Sequence, residues 1–226
     1  MRCTFLFTIG TKLPILPPDI MSEVAVYFIG VDVGGKRKGQ AVAVLHQDLR
    51  VVSMKAGQQS DALAARILEE YGNEIIVAID APRQPGKGRT GKWGRGCERE
   101  AMARGLRPQW TPEKEFFITA ERDILERYSW MEIGFKLFEQ FCSELEPHQV
   151  IEVFPSASYG RFGAEEVLIP FGLWDRKSKK DQLDAICCAL TAWCYYKGHY
   201  LALGDADEGQ IIIPHIGADE KGAQSG

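Results

Sequence analysis

Asp32, Asp80, Asp181, Asp184 and Glu152 are the carboxylates whose settings suggest chemistry. Asp181 and Asp184 open an apolar stretch, Lys180-Asp181-Gln182-Leu183-Asp184-Ala185-Ile186-Cys187-Cys188-Ala189-Leu190. Leu183, Ile186, Cys187, Leu190 and Cys194 recur at helical spacing, which predicts a helix to about Lys197 with that face turned inward. Ser178 is its expected cap, with Asp181 three residues on as in a capping box. Capping alone would explain Asp181. Asp184 lies past the first turn, where the helix is small or apolar nearly all round (Ala185, Cys188, Ala189, Ala192, Trp193). A buried helix rarely keeps an unpaired carboxylate. A metal ion or a strand-borne partner is therefore expected beside Asp184.

Two strands offer that partner. Residues 24–33 are nearly all apolar, as in a strand buried on both faces, and Asp32 interrupts the run near its end. Residues 74–79 form a second such run, ended by Asp80-Ala81-Pro82. The carboxyl end of a buried strand is where sites form in open α/β sheets, although an Asp there also serves simply to cap a turn. Glu152 sits mid-strand in Val150-Ile151-Glu152-Val153-Phe154-Pro155. It either points at a site or pairs with a basic side chain.

The elements around these acids follow from pattern. After the first strand, Gly34 to Gly39 reads as a turn, Ala41–Leu45 as a returning strand and Arg50–Lys55 as a third. Ser60 is the expected cap of a helix through Leu63, Ile67, Leu68 and Tyr71, closed by Gly72. Pro112–Glu146 reads as helical, best over Ser129–Leu145, where Trp130, Ile133, Leu137, Phe138, Phe141 and Leu145 share a face. A fifth strand is expected over Gln149–Tyr159. Residues 160–177 read as a polar connection, and Gly204–Pro214 as a closing loop with a short strand. Residues 1–22 read as an N-terminal extension, with Met21 resembling a natural start. The domain spans 23–216, and 217–226 is an expected disordered tail.

Residues 83–107 differ in character. They hold eight basic residues (Arg83, Lys87, Arg89, Lys92, Arg95, Arg99, Arg104, Arg107) against Glu98 and Glu100, in a chain whose net charge is −4. Glycines and Trp93 are interleaved. A solvated basic loop has this composition, and so does a segment that meets a phosphate backbone and a stacked base. The chain of 226 residues, 45% hydrophobic and 26% charged, is long enough for one domain with a substantial core. It lacks any run of about 18 apolar residues, so no membrane partner is expected. The six cysteines form no C-x-x-C pair, and the four histidines form no cluster. The cysteines read as small core residues in a reducing, cytoplasmic compartment rather than a disulfide framework or zinc site.

The order of three strands, helix, strand, helical insert, strand and helix resembles the ribonuclease H-like fold. The acid placement resembles its RuvC-type resolvase branch. More closely, residues 26–214 resemble the family called domain of unknown function 429, predicted RNase H-like nucleases. The matching pieces are Gly30-Val31-Asp32-Val33-Gly34-Gly35, Ala78-Ile79-Asp80-Ala81-Pro82, Arg95-Gly96-Cys97-Glu98, Glu152-Val153-Phe154-Pro155, Lys180-Asp181-Gln182-Leu183-Asp184-Ala185 and Glu208-Gly209-Gln210-Ile211-Ile212-Ile213-Pro214. One departure is Asp80, where the RuvC-like pattern has a glutamate.

The resemblance implies an α/β fold with a mixed five-stranded sheet flanked by helices, and a basic, helical insert over 83–148 between strands four and five. It implies that Asp32, Asp80, Asp181 and Asp184 converge as ligands of Mg²⁺ or Mn²⁺, two ions in all, for phosphodiester hydrolysis. Glu152 would be a supplementary catalytic carboxylate. Arg83, Lys87, Arg95 and Arg99 would hold the backbone of a nucleic acid, DNA or RNA. A homodimer is the assembly that a junction resolvase would need. Two other readings compete: a nucleic-acid-binding module without catalysis, and a phosphotransferase of the actin/sugar-kinase class, whose phosphate hairpin Asp32-Val33-Gly34-Gly35-Lys36 vaguely resembles.

Overall fold

The computed structural model describes residues 25–87, 94–162 and 180–215. The expected extension and tail, the basic residues Arg89 and Lys92 with Trp93, the connection beyond residue 162 and the Ser178 cap lie outside the described residues. The chain forms β1 (Tyr27–Asp32), β2 (Gln40–His46), β3 (Val51–Gln58), α1 (Leu63–Tyr71), β4 (Ile75–Asp80), α2 (Gly96–Ala103), α3 (Lys114–Thr119), α4 (Arg122–Arg127), α5 (Ser129–Cys142), a 3₁₀ turn (Pro147–Gln149), β5 (Val150–Val153), α6 (Pro155–Phe162), α7 (Lys180–Tyr196), β6 (Tyr200–Leu203) and β7 (Ile211–Pro214).

The strands make one mixed sheet of seven in the order β3-β2-β1-β4-β5-β7-β6. β2 runs antiparallel to both β1 and β3, while β1, β4, β5 and β7 run parallel to their neighbours in turn. The sheet therefore exceeds the expected five strands. β7 pairs with β5, and β6 pairs antiparallel with β7 at the far edge. β6 follows α7 after only three residues and is half-exposed, so its four residues carry little strand periodicity of their own.

Side chains alternate across a strand, and this sorts the core into two layers. Phe28 of β1 and Ile76 and Ala78 of β4 pack with Leu183, Ile186 and Ala189 of α7 on one face. Ile29, Val31, Val77 and Ile79 pack with α1 and α5 on the other. Glycine permits close approach on each side. A Cβ on Gly30 would lie 1.9 Å from the Ala185 carbonyl oxygen and 2.4 Å from the Ala189 nitrogen. A Cβ on Gly134 of α5 would lie 2.3 Å from the Ala81 Cβ. Backbone thus meets β1 at Gly30, and α5 presses on the end of β4.

Three boundaries differ from expectation. The strand foreseen over Gln149–Tyr159 stops at Val153, because Pro155 cannot donate to a ladder and instead starts α6. The helix foreseen from Ser60 begins at Leu63, with no side-chain cap on Ala62. The helical region over Pro112–Glu146 is three separate helices, with extended backbone at Ala120 and Glu121 between the first two.

Candidate metal centre

β1 and β4 are parallel and in register, with Asp32 directly beside Asp80. Both share the strand parity of Gly30 and Ala78, so both carboxylates lie on the sheet face that α7 covers. Asp184 sits on α7 one residue before Ala185, whose carbonyl bears on Gly30. The close approach at that glycine brings the first turns of α7 down onto the strand ends. As a result, one carboxylate oxygen each from Asp32, Asp80 and Asp184 lie within 4.8 Å of one another. Asp184 is buried, and the two strand acids are half-buried.

The remaining bonds of Asp184 are well defined. The Tyr159 hydroxyl of α6 donates to its Oδ1 at 2.5 Å, and the Lys180 ammonium, one turn earlier on α7, donates to its Oδ2. Asp181 takes a different course. It accepts a hydrogen bond from Lys38 Nζ at 2.6 Å, reaching across from the β1–β2 turn, and is not among the three clustered acids. Lys38 is placed by a tight turn in which the amides of Lys38 and Gly39 donate to the Gly35 carbonyl.

Burial pushes the Asp32 carboxyl up to about 7, helped by the negative charges of Asp184 and Asp181 and opposed by Lys38 and Lys180. Burial also holds Asp80 well above the ordinary carboxylate range, with Asp32 and Asp184 adding repulsion. Burial raises the Tyr159 hydroxyl, and its bond to Asp184 raises it further. The bond to Asp184 likewise raises Lys180. Three clustered carboxylates, two of them holding their protons this firmly, are short of positive charge. Hard oxygen donors converging from three elements fit a divalent cation such as Mg²⁺ or Mn²⁺.

Glu152 stands elsewhere. Ile79 is its neighbour in register on β4, so it has the parity opposite to Asp80. Both of its oxygens are taken: Arg95 Nη1 donates to Oε2 at 2.7 Å, Arg95 Nη2 to Oε1 at 2.5 Å, and the Arg83 amide to Oε2 at 2.8 Å. Arg95 Nε also donates to Glu98 Oε1 at 2.9 Å, and Glu98 accepts from the Thr111 amide and hydroxyl. Arg95, Glu98 and Glu152 are 2%, 1% and 4% exposed. This buried network anchors the segment after β4 to β5. It leaves Glu152 outside the carboxylate cluster and keeps Arg95 from solvent.

The other basic candidates divide. The Arg83 guanidinium lies 5.3 Å from the Phe138 ring centroid and 3.1 Å from Cys142 Sγ, packed on α5. Arg99 donates to the Gly94 carbonyl at 2.7 Å and lies 3.7 Å from Glu208, while remaining half-open to solvent. Lys87 is exposed. Beside Asp80 opens a cleft of about 660 Å³, whose lining includes Val33, Trp130, Phe154, Arg107, Gln109 and Thr111.

Sequence reasoning assigned no role to Lys38, Tyr159 or Lys180. Lys180 was legible, since a cation four residues before an acid on a helix meets it. Tyr159 needed Pro155 to be read as the first residue of a helix. Lys38 carried no local signal, because its partner is 143 residues away.

Fold and centre together define an α/β protein with a carboxylate cluster at the carboxyl edge of its central parallel strands. No protein-family model matches the chain, and no curated protein is similar enough to count as a relative.

Proposed function

We propose that this protein is a ribonuclease H-like, metal-dependent nuclease of the kind predicted for domain of unknown function 429. The observation that carries the reading is the convergence of Asp32, Asp80 and Asp184 within 4.8 Å, from two adjacent parallel strands and the helix laid across them. The reading is supported by the order of β1 to β5 with the helices between them and by three of the acids that the resemblance names, Asp32, Asp80 and Asp184, while Asp181 and Glu152 lie outside the cluster. Asp32, beside Asp80 on the sheet and repelled by Asp184, would hold a divalent ion together with both of them. Tyr159 fixes the rotamer of Asp184. Lys38 holds Asp181 at the rim, where it acts on the centre by charge or as an outer ligand.

Bound Mg²⁺ or Mn²⁺ would supply Lewis-acid charge and an activated water for phosphodiester hydrolysis. The chain's own residues supply the frame: a rigid acid set, an edge open to the cleft beside Asp80, and the exposed cations Lys87 and Arg99 for a phosphate backbone.

The test is cleavage of an end-labelled panel of single strand, duplex, RNA–DNA hybrid and four-way junction. Wild type and Asp32→Asn are run side by side with Mn²⁺ and with Mg²⁺. Cleavage by wild type alone is the expected result. Equal cleavage by both proteins would overturn the assignment of the centre.

A second reading, nucleic-acid binding without catalysis, draws on one observation. The Lys180 ammonium already places a positive charge on Asp184. Binding of the same panel with no cleavage in either metal, and no metal-induced rise in Tm, would favour it.

A further inference from the structure

The cleft beside Asp80 is not used by the carboxylate chemistry, and its lining is unlike that of the metal centre. It runs from Asp80 and Val33 past Trp130 and Phe154 to a lip formed by Arg107 and Gln109. Asp32 and Asp184 do not line it, so it lies to one side of the cluster and meets it at Asp80. Its volume of about 660 Å³ falls within the roughly 300–1,000 Å³ of clefts that enclose small organic ligands. Its lining mixes apolar and aromatic side chains (Val33, Leu106, Trp130, Phe154) with polar ones, of which Arg95, Glu98, Glu152 and Thr111 already bond one another.

The wall opposite α5 is held in place. The Leu106 amide donates to the Ala101 carbonyl at 3.0 Å, the Thr111 amide to Glu98 at 3.0 Å and the Gly86 amide to the Pro112 carbonyl at 2.9 Å. Glu98 is fixed in turn by Arg95, and Arg95 by Glu152. The charges of Arg95, Glu98 and Glu152 are paired within this network, so they do not face a ligand as free charge. Arg107 and Gln109 are exposed, and Arg107 has no ion pair among the described residues.

We infer that this cleft binds one unpaired nucleobase next to the phosphate presented to the carboxylates, so that the substrate is a single-stranded or locally unpaired nucleic acid. The inference rests on the nuclease reading for its substrate class. A base offers a flat apolar face to an aromatic wall and a hydrogen-bonding edge to Gln109 and Arg107. Bases within a duplex have their faces stacked and their pairing edges engaged, and cannot enter such a cleft without leaving the helix. Base–aromatic stacking also tolerates any base, which predicts weak sequence preference. Stacking on Trp130 or Phe154 and an edge contact at the lip would set which nucleotide lies beside the scissile bond.

The experiment uses the full chain and fluorescent oligonucleotides, one single-stranded and one a blunt duplex of the same sequence, with Ca²⁺ as the cation so that affinity is read apart from cleavage. Single strand is expected to bind at least tenfold more tightly than duplex. Trp130→Leu, which keeps the apolar packing of α5, is expected to lose about tenfold in single-strand affinity. Arg107→Ala and Gln109→Ala are exposed positions that leave folding intact, and together they are expected to weaken single-strand binding while sparing duplex. Equal affinity for the two forms, or single-strand affinity unchanged in all three variants, overturns the inference. Cleavage is scored separately with Mn²⁺. A protein that cuts duplex and single strand alike remains a nuclease without this cleft function. One that binds single strands through Trp130 but cuts nothing retains the cleft and loses the nuclease reading.

Discussion

At the scale of single residues, the centre is a problem of uncompensated charge. Asp184 is buried and has two donors, Tyr159 and Lys180. Among the described residues no side chain donates a hydrogen bond to Asp32 or Asp80, which repel one another and are offset by the charge of Lys180, with Lys38 also acting on Asp32. Lys180 therefore does part of what a cation would do, from a side chain that is otherwise mostly in solvent. Lys180→Gln is expected to lower the Tm of the metal-free protein and to enlarge the rise in Tm that Mn²⁺ produces, because the ion then meets an uncompensated carboxylate. A thermal scan with and without Mn²⁺ reads both effects. An unchanged Mn²⁺ increment would place the ion away from Asp184. Glu152 shows the opposite arrangement, a carboxylate whose two oxygens accept three bonds from Arg95 and the Arg83 amide. The guanidinium already supplies its positive charge.

At the scale of elements, two contacts decide where these residues meet. The first is β1 against α7 at Gly30. A methyl group there would have to displace the helix backbone, since the 1.9 Å approach is to a carbonyl rather than to a flexible side chain. Overpacking of this kind costs about 1–3 kcal/mol or more. Gly30→Ala is expected to lower the unfolding free energy by that amount, read as a lower denaturant midpoint, and also to abolish metal-induced stabilisation, because Asp184 moves away from Asp32 and Asp80. Loss of stability with an intact metal response would mean that α7 yields without shifting its first turns. The second contact is the Arg95 network, which ties α2 and the segment up to Thr111 onto β5. Glu152→Gln leaves a buried guanidinium without its bidentate partner. Breaking a buried pair in this way costs about 3–5 kcal/mol, read as a loss of unfolding free energy in urea. A change below about 1 kcal/mol would mean that water or Glu98 takes over. No described helix is long and apolar enough to cross a membrane.

At the scale of the whole molecule, the acid cluster couples stability to pH. Asp32 titrates near 3.8 in an unfolded chain and near 7 in the folded one, and Asp80 is raised as well. Between those values the native state holds protons that the unfolded state has released. Unfolding stability therefore falls as pH rises through this window. The metal-free protein is expected to have a higher Tm at pH 5 than at pH 8. Mn²⁺ should raise the Tm at pH 8 far more than at pH 5, where protons compete for the same oxygens. Calorimetric scans across this range with and without chelator measure it, and a flat metal-free profile would contradict the charge shortage at the centre. Local features are legible in the order of the amino acids. That order marked the strands β1 to β5, α1, most of α5 and α7, and the acids that end two of those strands, because an apolar run broken by a carboxylate is a pattern of neighbouring residues. It also marked Asp184 as an acid in need of a partner. Only the tertiary structure separated Asp184, which joins Asp32 and Asp80, from Asp181, which turns to Lys38. It alone turned Glu152 to the other face and buried Arg95 among acids. It also set the expected closing strand, β7, beside β5 and added β6 at the sheet edge. Those outcomes depend on strand register, on the approach of α7 at Gly30 and on partners far apart in the chain. Residue type and spacing carry no record of such distances.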